Sequence, residues 1–299
     1  MKIGFIGIGK MGGQMVARLV KDGHSVTVLD LDKSAVDATV AIGAKAATNR
    51  AELIKVVEPL VLWLMIPSQF VDQELAALLE VVPENSIIID GGNSDFRLTM
   101  QRAQLLAAKN VEYVDVGTSG GVLGLEKGFS MMVGGSDTAI KTITPLLDSL
   151  TMKDGWKHFG PTGYGHYIKM IHNGIEYGLM QSYAEGYHLL KEGPLKNIDL
   201  AGVGEVWQHG SIIGSLLNEC ATGALFENPE LEGIDGFVAE SGEARWTLEI
   251  AEAARIETPS IQTALDVRVA SQQGKKNFAT KLLAAMRNKF GGHAINELH

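Results

Sequence analysis

Along the first half of the chain, short apolar runs alternate with amphipathic stretches. Residues 2–7, 25–30, 60–66, 86–90 and 111–116 are each short, apolar and largely β-branched or aromatic, which predicts strands. Between them apolar residues recur at helical spacing, as in Met11, Met15, Leu19 and Val20, and again in Val71, Leu75, Leu78 and Leu79. Continuous apolar strands separated by helices belong to a mostly parallel sheet whose faces the helices cover. Residues 129–133 add one further short strand.

The pattern changes near residues 155–165, where Gly155, Gly160, Pro161, Gly163 and Gly165 crowd together and the segment reads as irregular. Beyond it the strand-like runs vanish. Helical stretches follow at 164–191, 200–226, 242–255, 259–273 and 277–290. The expected organisation is an α/β domain over 1–162 and an all-α domain over 163–299.

Composition narrows the function. With 299 residues, 45% of them hydrophobic and 20% charged, the chain has material for two cores. A formal net charge of -9 disfavours nucleic acid as the main partner, so any anionic ligand must meet a local cationic cluster. No apolar stretch reaches the roughly 20 residues that span a bilayer. Cys220 is alone, so it has no internal disulfide partner, and no zinc-ligand set surrounds it; a reducing, cytoplasmic setting and no metal are expected.

Gly7-Ile8-Gly9-Lys10-Met11-Gly12 reads GxGxxG directly after the first strand and at the head of the first helix. In that setting Gly7 makes the tight turn, Gly9 lets backbone approach a pyrophosphate, and Gly12 lets helix pack on strand. The second strand ends in Asp30, where a carboxylate can accept hydrogen bonds from the adenosine ribose hydroxyls. The domain is therefore Rossmann-like. Leu31 and Asp32 follow with no arginine for a 2'-phosphate, which favours NAD, while Lys33 leaves NADP open. Met65 and Ile66, closing the 60–66 strand, complete the expected cofactor set.

In the 164–191 helix, Lys169, His172, Asn173, Glu176 and Tyr177 stand at i, i+3, i+4, i+7 and i+8, on one face. Ile168, Ile171, Ile175 and Leu179 form a separate apolar stripe. His, Asn and Tyr beside a single Lys and Glu are unusual for a merely solvated face.

This segment, with Asp90-Gly91-Gly92-Asn93-Ser94, Gly117-Thr118-Ser119-Gly120-Gly121 and Phe290-Gly291-Gly292-His293, resembles the 6-phosphogluconate dehydrogenases, particularly their short form, over essentially the whole chain. The resemblance implies oxidation of a phosphorylated sugar acid at C3, β to its carboxylate. The β-keto acid formed there readily loses CO2. Such chemistry needs a base for the C3 hydroxyl and an acid to protonate the enediol, roles that match Lys169 and Glu176. The family pattern further assigns substrate contacts to Asn93, Ser119, Gly120, Gly121, His172 and Asn173, with Asn93 also near the nicotinamide. Phosphate contacts fall to Tyr177, Arg245, Arg268 and Arg287. Arg287 and His293 belong to a tail that, in the family, completes a neighbouring subunit's site, which implies a homodimer or homotetramer. Two other readings share parts of this pattern. A non-decarboxylating β-hydroxyacid dehydrogenase of the 3-hydroxyisobutyrate type would share the glycine loop, the Ser119 loop and the helix lysine, and a catalytically inactive NAD-binding sensor would share the first domain.

Overall fold

A computed structural model describes residues 1–55, 57 and 60–296. One sheet holds β1 (Lys2–Ile6), β2 (Ser25–Leu29), β3 (Lys45–Ala46), β4 (Val61–Leu64), β5 (Ile87–Asp90), β6 (Glu112–Ser119), β7 (Phe129–Gly134) and β8 (Thr151–Gly160). Their order is β3-β2-β1-β4-β5-β6-β7-β8. All neighbours are parallel except β6 with β7. The connecting helices are α1 (Lys10–Lys21), α2 (Lys33–Ala41), α3 (Arg50–Lys55), α4 (Val71–Leu79), α5 (Phe96–Ala107), α6 (Gly124–Lys127) and α7 (Asp137–Leu150).

The two-residue period of each strand separates two cores. Ile3, Phe5, Val61, Trp63, Ile87, Ile89, Val114 and Val116 face one side and pack with Met15, Val16 and Leu19 of α1 and Ile143, Leu146 and Leu150 of α7. Ile6, Leu62, Leu64, Ile88 and Tyr113 face the other and pack with Leu53 of α3, Leu75 and Leu78 of α4, and Leu106 of α5. Burial on both faces is why these strands read as unbroken apolar runs.

The chain continues as α8 (Tyr164–Glu192), α9 (Leu200–Gln208), α10 (Leu216–Glu227), α11 (Glu243–Ala254), α12 (Pro259–Gln272) and α13 (Phe278–Gly291). These helices bury Met180, Ala184 and Tyr187 of α8 with Ala221, Ala224 and Leu225 of α10 and Leu282, Leu283 and Met286 of α13. The Tyr187 hydroxyl donates to Asn218 Oδ1 at 2.9 Å, and the Asn218 amide donates to the Gly204 carbonyl and Gln208 Oε1 at 2.9 Å each. Contacts divide the chain into Met1–Met170 and Ile171–His299, a division that falls inside α8. Among the described residues no helix is long and apolar enough to cross a membrane.

Two segments differ from the sequence reading. The stretch taken as irregular is an edge strand as far as Gly160: Met131 to Val133 pair in register with Trp156 to His158. Its bulge and polar exposure removed the apolar alternation that marks a strand. The single helix expected over 200–226 is two, broken at His209–Gly210, where Gly210 takes φ +90°, and restarted by Ser215, whose side chain accepts from the Asn218 amide.

Candidate active site

The cofactor cradle follows from strand order. β1 lies between β2 and β4, so connections leave its carboxyl end in opposite directions and open a crevice there. Gly7 sits at that end with φ +91°, and a Cβ on it would lie 2.4 Å from the Met65 carbonyl oxygen. A Cβ on Gly12 would lie 2.2 Å from the Gly7 carbonyl oxygen, so α1 packs directly on the turn. Beside Gly9 there is open space to 4 Å, and no side chain caps α1. Backbone amides and a helix N-terminus facing open space fit a pyrophosphate. Lys10 and Met11 open the helix, and Met65 and Ile66 wall the turn.

Asp30 braces this loop. Its Oδ2 accepts from the Ile8 amide at 2.6 Å and its Oδ1 from the Asp32 amide at 2.8 Å. Each carboxylate oxygen keeps a second lone pair for a ribose hydroxyl. Leu31 beside it is fully exposed, and Asp32 caps α2, its carboxyl held below the usual range by the Ser34 hydroxyl and the Ser34 and Ala35 amides. The residues therefore fit NAD, with a second carboxylate where a 2'-phosphate would add charge.

Asn93 is exposed at the tip of a loop held from below. Buried Asp90 accepts from the Gly92 amide at 3.1 Å, the Ser94 hydroxyl at 2.8 Å and the Tyr113 hydroxyl at 3.0 Å. Ser119 ends β6, and Gly120 and Gly121 follow at φ +126° and +53°. Gln14 of α1 clamps the next turn, donating to the Val122 carbonyl at 3.0 Å and accepting from the Leu125 amide at 3.1 Å.

Along α8 the usual amphipathic arrangement is reversed. Lys169, Asn173 and Tyr177 are buried, whereas Ile175 and Leu179 of the apolar stripe are 54% and 50% exposed. Charged and polar groups are rarely buried without a task. Lys169 rests against β6, with no room on Gly117: a Cβ there would lie 2.4 Å from that of Lys169. His172 Nδ1 is 3.0 Å from Asn173 Oδ1 and 3.8 Å from Glu176 Oε2.

Within the helical unit, Tyr177, Arg268 and Arg287 come together. The Arg268 guanidinium lies 3.2 Å from the Tyr177 ring centre and is 1% exposed. Its hydrogen-bond contacts are weak: the Ala239 carbonyl at 3.5 Å and the Met180 sulfur at 3.7 Å. Burial pushes its pKa down to about 10, Arg287 adds to the fall, and Tyr177, Glu176 and Glu243 oppose it. Burial also lowers that of Arg287, against the same Tyr177, Glu176 and Glu243.

Arg287 thus lies in α13, buried in its own chain rather than extended in a tail. His293 is exposed beyond the Gly292 cap, its ring edge-on to Phe290. Arg245 stands apart from the cluster, half exposed and bound to Glu240 at 2.7 Å.

Three further groups stand at the site beyond those expected from sequence. Asp115 interrupts an apolar strand, a signal that was present; Gln14 and Glu243 carried none. Among the described residues the buried Glu243 Oε2 has no hydrogen-bond partner, and its carboxylate acts on Arg268 and Arg287.

Comparison with known proteins matches residues 2–159 to the NAD binding domain of 6-phosphogluconate dehydrogenase and 165–299 to the 6-phosphogluconate dehydrogenase C-terminal domain. A Haloferax volcanii protein named 6-phosphogluconate dehydrogenase, NAD(+)-dependent, decarboxylating is 38% identical over 99% of this chain and 98% of its own. The Plasmodium falciparum 6-phosphogluconate dehydrogenase structure superposes with a TM-score of 0.83 at 28% identity, covering 96% of this chain and 70% of that one. A Salmonella typhimurium 3-hydroxyisobutyrate dehydrogenase gives 0.80 at 21% identity over 94% and 99%, a likeness of fold alone. The chain is an NAD-binding oxidoreductase and belongs to the 6-phosphogluconate dehydrogenase family.

Proposed function

We propose that this protein oxidises 6-phosphogluconate and releases CO2, giving ribulose 5-phosphate, with NAD preferred over NADP, as a step of the pentose phosphate pathway. The observation that carries this reading is Arg268. A guanidinium 1% exposed, stacked on Tyr177 and with no short bond to an acceptor, calls for an anionic ligand. A phosphate ester supplies an anion besides the carboxylate, whereas a small unphosphorylated hydroxyacid has only the carboxylate, which this reading gives to the Ser119 loop.

In this reading Tyr177, Arg268 and Arg287 hold the phosphate, with Arg245 and the His293 of a neighbouring subunit contributing at the rim. Ser119 and the amides of Gly120 and Gly121 hold the carboxylate, and Asn93, His172 and Asn173 hold the sugar hydroxyls. Lys169 takes the proton of the C3 hydroxyl and then polarises the new carbonyl. A bound nicotinamide would supply the acceptor for the hydride that leaves C3. Loss of the carboxylate as CO2, with Lys169 returning its proton to the C3 oxygen, leaves an enediol; Glu176 then protonates its carbon as Lys169 takes the hydroxyl proton back, giving the ketose.

The same reading makes the enzyme cytoplasmic, in keeping with a single buried thiol at Cys220, and a homodimer or homotetramer. Exposed Ile175, Leu179 and Leu189 along α8 and Phe226 on α10 support assembly. The exposed His293 side chain is then offered to a neighbouring subunit, while Ile295 packs on its own helical core and the Asn296 carbonyl accepts from the Asp235 amide.

Turnover of 6-phosphogluconate against 3-hydroxyisobutyrate, followed by reduced-nicotinamide absorbance with each nucleotide, tests the proposal. Reduction with the phosphorylated acid alone supports it; reduction with the small acid alone removes it.

A further inference from the structure

Asp115 lies in β6 between Val114 and Val116, and all three are 0% exposed. A carboxylate taken out of water costs several kcal/mol unless its lone pairs are used. Here both oxygens are used on one target. Oδ1 accepts from the Gly163 amide at 2.7 Å and Oδ2 from the His166 amide at 2.7 Å. These amides lie at the start of α8, where helical N–H groups have no intrahelical acceptor, so Asp115 caps that helix from another element.

Three glycines make the contact close. A Cβ on Gly165 would lie 2.4 Å from the Met132 carbonyl oxygen and 2.6 Å from that of Asp115. On Gly134 it would lie 2.5 Å from Asp115 Oδ1, and on Gly117 it would lie 2.4 Å from the Cβ of Lys169. Asp115 and Gly117 are two residues apart, hence on the same face of β6. The carboxylate grips the start of α8 while the bare backbone at Gly117 seats Lys169 one turn later. His166 braces the same turn from α5, its Nδ1 2.8 Å from the Thr99 hydroxyl.

We propose that Asp115 is a positioning residue for Lys169, fixing where the lysine stem leaves α8 through the two amide bonds, with Gly117 setting the distance. The inference rests on the reading of Lys169 as the base. A plain core position would be filled by an apolar side chain as on either side, and a simple cap does not need β6 stripped of side chains beneath the lysine. Misplacing a reacting group by about 1 Å costs on the order of 100-fold in rate, so the arrangement bears on turnover more than on binding.

The test compares Asp115→Ala, Asp115→Asn, Gly117→Ala and Lys169→Ala in the full chain. It reads kcat and KM with 6-phosphogluconate and NAD affinity by calorimetry. Asp115→Ala is expected to lower kcat by about 30-fold or more with NAD affinity within about twofold of wild type. Asp115→Asn, which keeps one acceptor oxygen, recovers part of the loss, and Gly117→Ala reproduces the loss with the carboxylate in place. Wild-type kcat in folded Asp115→Ala and Gly117→Ala, beside an inactive Lys169→Ala, overturns the inference and leaves the base assignment standing. Loss of kcat and NAD affinity in parallel also overturns it, as a general structural role. Full turnover by Lys169→Ala removes the base assignment and the inference with it.

Discussion

The guanidinium of Arg268 stacks on the ring of Tyr177 at 3.2 Å from its centre, and among the described residues no carboxylate is hydrogen-bonded to it. Its depressed pKa, about 10, means that the folded state disfavours the charged form. The sign is that of a base with a lowered pKa: the penalty is present throughout neutral pH and is relieved as pH climbs through about 10. That penalty is on the order of 3 kcal/mol. Arg268→Met therefore raises the melting temperature of the ligand-free protein. Inorganic phosphate stabilises the wild type and leaves the variant unmoved. Equal stabilisation of both proteins by phosphate, seen in thermal melts, contradicts the assignment.

Gln14 ties the cofactor helix to the turn that follows Ser119-Gly120-Gly121. Two neutral hydrogen bonds are worth about 2 kcal/mol together. Gln14→Ala raises the KM for the sugar acid by up to about tenfold while NAD affinity stays near wild type. Steady-state kinetics with direct NAD titration checks this, and a change confined to NAD affinity opposes it.

Asp30 braces the Ile8 amide at the end of β2, and exposed Leu31 stands next to it. Replacing the pair, Asp30→Ser with Leu31→Arg, removes a carboxylate and adds a phosphate ligand. The NADP-to-NAD ratio of kcat/KM rises by about tenfold or more. An unchanged ratio means that cofactor choice is set elsewhere.

At Gly12 the obstacle is backbone, since an added Cβ meets the Gly7 carbonyl oxygen at 2.2 Å. Gly12→Ala destabilises the protein by about 3 kcal/mol and weakens NAD binding, because relief of the clash moves the turn that Gly7 makes. Denaturant unfolding and NAD titration read both effects; a variant with native stability contradicts the packing account.

The sequence made the sheet domain legible because strands buried on both faces are continuous apolar runs, as at Val61–Leu64 and Ile87–Asp90. β8 escaped because it is an edge strand whose Met152, Lys153 and Asp154 are exposed. The row Lys169, Asn173, Tyr177 was legible from helical spacing, yet spacing alone does not say which side of a helix is buried, and here the polar side is. Arg245 shows the same limit. α11 buries Glu243, Ala244, Thr247 and Ala251, a phase that carries Arg245 outward to Glu240. Asp115 was visible as a charge inside an apolar strand, but its partners, Gly163 and His166, are about fifty residues away and only the fold brings them to it.

Oxidation at C3 and loss of the carboxylate belong to one turnover in the proposed reaction. Following reduced NAD and labelled CO2 together from 6-phosphogluconate labelled at C1 tests this. One CO2 is expected for each NAD reduced, with both abolished in Lys169→Ala. Reduction of NAD without CO2 release, or no reduction of either nucleotide with this substrate, contradicts it.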